Sequence, residues 1–138
     1  MAEIRYLTLA DVLALHHAIM ERFGAPPTPL RDEGTLESAL MRARMVAYYD
    51  EADIIRQAAL LAVGISQAQA FLDDNKRIAF AVCDVFLRVN GLAFSGDPLE
   101  LTLQFETLAK REDSLDKATE RFEQWLRKNV SPRDENMI

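Results

Sequence analysis

Cysteine is almost missing from this sequence. The single one, Cys83, excludes an internal disulfide and fits a reducing compartment. It stands in an apolar stretch, where a cysteine serves as a small core residue. Basic charge is also in deficit, with 16 Lys and Arg against 22 Asp and Glu, a net charge of −6 and a pI near 4.9. That balance argues against nucleic acid, or an anionic membrane surface, as a main partner. Long hydrophobic runs are absent too, and none approaches the roughly 20 residues that span a bilayer. Glu3 and Arg5 interrupt any N-terminal signal pattern. The expected location is the cytoplasm. Glycine and proline, five of each, are too few for a loop-rich or disordered chain. No internal repeat, low-complexity tract or interdomain linker is visible.

What is present suffices for one domain over residues 1–138, with a 49% apolar share to build its core. Ile4–Leu7 reads as a short extended entry. Thr8, with Asp11 three residues on, is a variant of the capping box. Leu9, Val12, Leu13, His16, Ile19, Met20 and Phe23 then recur at helical spacing until Gly24 and the APPTP segment stop them. His16 and the adjacent His17 point about 100° apart on a helix, so they make no ready metal pair. Asp32 or Thr35 caps a second helix. The run MVAYYDEAD leads into a third, from about Asp53 to Ser66, in which Gly64 marks either close helix contact or an early end.

The fourth helix runs from Asn75 to the Asn90–Gly91 stop and is apolar on nearly every side, which places it at the centre of a fold. Asp84 breaks that pattern and reads as a carboxylate paired at the helix edge. Leu92–Phe94 is a short extended piece. Asp97 or Ser95 with Pro98 starts a fifth helix, Ser114 caps a sixth, and residues 130–138 read as a frayed tail. The fold class is therefore all-α, a bundle of about six helices packed around the third and fourth.

The chemistry concentrates where the fourth helix begins. A polar loop delivers Asp73, Asp74, Asn75, Lys76 and Arg77 to that helix start. A helix N-terminus carries about half a unit of positive charge and several unpaired N–H groups, so it suits an anion. Lys76 and Arg77 add two cations, and Asp73 adds a carboxylate able to hold Mg²⁺ against a phosphate. The residues by themselves point to a phosphate site at the mouth of a helical bundle.

The segment QAFLDDNKR, Gln69 to Arg77, resembles the signature HxFx(D/E)(A/G)N(K/G)R of Fic and Doc proteins, matching it at Phe71, Asp73, Asn75, Lys76 and Arg77. NKR, rather than NGR, points to the Doc branch. YLTLADVLALHHAIMERFG, LRDEGTLESAL and IAFAVCDVFLRVNGLAF are also similar to Doc proteins, in the same order. The resemblance implies the compact helical Fic/Doc core. It implies transfer of part of a nucleotide to a protein hydroxyl, with ATP and Mg²⁺ as cofactors. Most Fic relatives transfer AMP, whereas the Doc toxin phosphorylates a threonine of elongation factor Tu and stops translation. A further implied partner is an antitoxin whose disordered C-terminal segment folds as a helix on the toxin. By matched position, Asp73 would hold Mg²⁺, and Asn75, Lys76 and Arg77 would line the anion pocket with the backbone of the 74–77 turn. Phe71 would anchor the loop to the core.

Two departures bear on activity. Gln69 replaces the family histidine, the proposed general base. An amide has essentially no basicity at neutral pH, and loss of a positioned base typically costs about 10²–10⁴ in rate. Asp74 replaces Ala or Gly, and adds a second negative charge where the backbone should approach phosphate. It should weaken phosphate binding unless its carboxylate turns to solvent or joins Mg²⁺. The expected enzyme is strongly impaired. A non-catalytic binding protein of the same family, and a Fic-type AMP transferase, are the alternatives. SPRDEN, Ser131 to Asn136, fits the inhibitory (S/T)xxxE(G/N) helix of some Fic proteins, but the arginine which that helix would pair with is Phe80 here.

Overall fold

Five of the six helices among the described residues start where a side chain replaces a missing intrahelical partner. The computed structural model describes residues 3–24, 30–72 and 74–133. Helix α1, Leu9–Arg22, follows Thr8, whose hydroxyl accepts from Asp11 N–H while the Asp11 carboxylate accepts from Thr8 N–H, a complete capping box. Helix α2, Glu33–Asp50, is capped by Asp32, which accepts from Thr35 N–H. Helix α3, Ile54–Ala68, is capped by Asp53, which accepts from Arg56 N–H. Helix α4 is Asn75–Val89. Pro98 opens helix α5, Pro98–Lys110, behind the Asp97 cap, and Ser114 caps helix α6, Leu115–Arg127. The aromatic run expected to lead into the third helix belongs to α2, which continues to Asp50. Only residues 51–53 make the turn, with Glu51 left-handed at φ 52°.

α3 is the most enclosed element. It packs against α2, α4, α5 and α6, while α4 packs against α1 and α3. Ala58, Ala59, Leu60, Leu61, Ala62, Val63 and Ile65 of α3 are all buried. So are Ile78, Ala79, Val82, Cys83, Phe86 and Leu87 of α4. Each large apolar side chain fully buried in this way contributes roughly 1.5–3 kcal/mol. The alanines make α3 a thin cylinder. Gly64 lets α2 come closest, since a Cβ placed on it would lie 3.4 Å from Ala39 Cβ. The glycine thus marks helix contact, and α3 runs on past it to Ala68. Burial pushes the Cys83 thiol pKa far above its ordinary range, in keeping with a core residue. Asp84 pairs with Arg88 at 3.2 Å, one turn on.

The expected frayed tail is corrected over its first residues. Val130–Pro132 forms strand β2, antiparallel to strand β1, Leu92–Phe94, with Phe94 opposite Val130. The Phe94 ring, packed on Phe80 and Trp125 at 5.3 and 5.5 Å, holds β1 in place as the template. Ser131 and Pro132 therefore sit in a strand, not a helix, and residues 134–138, with Asp134, Glu135 and Asn136 of the SPRDEN pattern, lie outside the described residues. Near the same end, the Arg5 backbone exchanges two hydrogen bonds with the Asn90 side chain, and Arg133 N–H donates to Gly91 C=O. Among the described residues no helix is long and apolar enough to cross a membrane.

Candidate anion site at the start of helix α4

The loop between α3 and α4 is bounded by two left-handed residues that are not glycine. Gln69, at φ 51° and ψ 40°, ends α3, and Asp74, at φ 63° and ψ 28°, precedes α4. That conformation costs an L-residue roughly 1–2 kcal/mol, less for Asp, whose short polar chain tolerates it. At position 74 this backbone suits Gly, and Asp tolerates it better than Ala would. The loop offsets the strain with contacts. Phe71 is 2% exposed, and its ring stacks on that of His16 at 3.8 Å and 16°. Phe71 is the expected anchor, and His16 takes the packing role beneath it. The Ala70 carbonyl accepts from both Arg31 N–H and Asp32 N–H, which ties the α1–α2 connection to the loop.

Gln69, Leu72, Asp74, Asn75, Lys76 and Arg77 line one open cleft of about 360 Å³. The structure therefore brings together every expected site residue except Asp73, the expected Mg²⁺ ligand, which lies outside the described residues. Their side chains are not all directed as the sequence suggests. Asn75 is buried, and its amide bonds the Phe71 backbone at 3.1 Å (accepting) and 2.9 Å (donating). Its side chain is committed to the loop. Gln69 Nε2 donates to Ser66 C=O at 2.8 Å and so caps the end of α3. Lys76 and Arg77 are exposed.

Asp74 differs from the other helix-capping acids. Asp32, Asp53 and Asp97 are extended and cap their helices, whereas the Asp74 side chain makes no cap hydrogen bond. Its carboxylate, 12% exposed, instead accepts from Arg77 NH1 at 2.8 Å. The same guanidinium lies 4.1 Å over the Phe23 ring. The sequence leads one to expect Asp74 to weaken phosphate binding unless it turns to solvent or joins Mg²⁺. In the structure it instead pairs with the arginine of its own motif. Phe23, placed by its spacing on the apolar stripe of the first helix, is instead 56% exposed, as is Leu72, which lines the cleft. The contact of Phe23 with Arg77 is not legible in the sequence, because it joins the end of α1 to α4.

The fit to a nucleotide is mixed. The cleft, the α4 start and Lys76 suit phosphate groups, whereas the Asp74–Arg77 pair competes for one of the two cations. Among the described residues no group of three or more His, Cys, Asp or Glu could hold a metal.

The model of the Fic/DOC family matches residues 6–87, more than half of the chain. The chain belongs to the Fic/DOC family. It is also 31% identical over 96 residues to the protein kinase doc of Escherichia phage P1, which covers 69% of this chain and 75% of that protein. The Fic/DOC match takes in α1 to α4 almost entirely, hence both helices that present the cleft and the loop between them.

Proposed function

We propose that this Fic/DOC protein is a Doc-type phosphotransferase by descent, directed at a threonine hydroxyl of elongation factor Tu in the cytoplasm and held in check by an antitoxin. In this form it is weak or inactive. The similarity to the phage kinase and the NKR triplet support phosphate transfer over AMP transfer. ATP and Mg²⁺ would supply the phosphoryl group and screen its charge. Lys76 and the α4 backbone would bind the phosphates, Arg77 would add a second cation once released from Asp74, and Asp73 would hold Mg²⁺.

The observation that carries the impairment is the state of positions 69 and 77. Gln69 has no basicity and spends its amide on the end of α3, and Arg77 is neutralised by Asp74. The same facts favour the second reading, a non-catalytic Fic/DOC binding protein. Label transfer from ATP into a bacterial lysate separates them. We expect γ-label on one band of elongation factor Tu size with Gln69→His/Asp74→Gly, and little or none with the unaltered chain. An α-label instead would make it an AMP transferase. Silence from both chains would leave the binding protein.

A further inference from the structure

We propose that Asn75 is a positioning residue for the side chain at position 69, and not a phosphate ligand. What position 69 does rests on the phosphotransfer reading, whereas the clamp itself does not. An asparagine amide has one oxygen acceptor and two N–H hydrogens. Oδ1 accepts from Phe71 N–H at 3.1 Å, and Nδ2 donates to Phe71 C=O at 2.9 Å. Both ends of the amide are thus fixed by one loop residue. Flipping it would set N–H against N–H and oxygen against oxygen, so the orientation is forced. The second hydrogen of Nδ2 is directed at Gln69 Oε1, 3.4 Å away. Both hydrogens are then committed on a residue only 8% exposed. This side chain has none to offer a phosphate without releasing the loop.

The consequence reaches the reacting position. The Gln69 amide is held at Nε2 by Ser66 C=O and at Oε1 by Asn75. One contact comes from the end of α3 and the other from the start of α4. Asn75 therefore links helix α4 to the orientation of whatever occupies position 69, in the same gesture that closes the loop over Phe71.

The test uses two variants and two kinds of readout. In the otherwise unaltered chain, Asn75→Ala should speed amide exchange at Phe71 at least about tenfold and shift the side-chain amide resonances of Gln69, with exchange in the middle of α3 unchanged. Asn75→Asp keeps the acceptor for Phe71 N–H and loses the donor. It should retain most of the protection at Phe71 and still shift the Gln69 resonances. In the Gln69→His/Asp74→Gly chain, adding Asn75→Ala should lower kcat about 10²-fold while the dissociation constant of ATP stays within about threefold. Unchanged Gln69 resonances in both variants would overturn the proposal. So would ATP binding weakened about tenfold or more with kcat intact. If the reverted chain transfers no label at all, the phosphotransfer reading fails, and the Phe71 and Gln69 signals still decide the clamp.

Discussion

Asp74 does two things that oppose each other. Its short side chain makes a left-handed turn tolerable just before α4, and its charge ties up the arginine that the turn should present. An amide in its place keeps the first property and loses the second. We expect Asp74→Asn to bind ATP several-fold to about tenfold more tightly than the unaltered chain. A negative charge a few ångströms from a bound phosphate at a protein surface costs on the order of 1 kcal/mol or more. Isothermal titration at two salt concentrations checks this, and the gain should shrink as salt rises. Equal affinity for the two chains would mean that Arg77 was never competed for. At this scale the sequence was informative where a role follows from residue type. Gln69 cannot be a base wherever it points, and the motif match already placed Phe71 inward. It was silent where a role follows from direction, because nothing in the letters turns the Asn75 amide toward Phe71 or lays Arg77 on Phe23.

Helices were legible because their signals are local. Thr8, Asp32, Asp53, Asp97 and Ser114 each cap the helix that the apolar spacing predicts. Strand β2 was not legible, because three residues ending in proline carry no alternation, and only the distant Leu92–Phe94 template orders them. Asp74 likewise looks like one more N-cap until its dihedral angles are known. The close approach of α2 and α3 lies between these cases, since Gly64 signals it without saying which helix arrives. Gly64→Ala should be neutral or stabilising by up to about 1 kcal/mol, because alanine is the better helix former and its Cβ would only touch Ala39. Gly64→Leu should destabilise by about 1–3 kcal/mol through overpacking. Urea unfolding of the two variants measures both effects. A destabilised alanine variant would show that the α2–α3 seam has no room even for a methyl group.

Across the whole molecule, one charged network joins helices far apart in sequence. Arg127 of α6 pairs with Asp53, the α3 cap, at 2.8 Å and with Glu123 at 2.8 Å, and Glu123 also holds Arg56 of α3. The Arg127 hydrogen bond is the main cause of a lowered Asp53 pKa. A carboxyl whose folded-state pKa is depressed adds stability above its ordinary value near ~3.9, and that contribution is lost as pH falls through the folded value. Asp53→Asn retains a capping oxygen and removes the charge. It should therefore lower the melting temperature at pH 7 and converge with the unaltered chain as pH falls through the lowered Asp53 pKa. The pair is largely solvent-exposed, so the effect is about 1 kcal/mol or less. Melting curves across pH provide the check, and a deficit that persisted in acid would point to the cap instead of the charge.

The backbone near both ends of the described chain is anchored to the same place. Arg5 is fastened to Asn90, and Arg133 to Gly91, at the turn that closes α4. The cleft lies at the other end of that helix, fifteen residues long. A tether attached at residue 5 or residue 133 would load that turn and the two-stranded ladder beside it. That loading point lies one whole helix away from Gln69, Asp74 and the cleft they line.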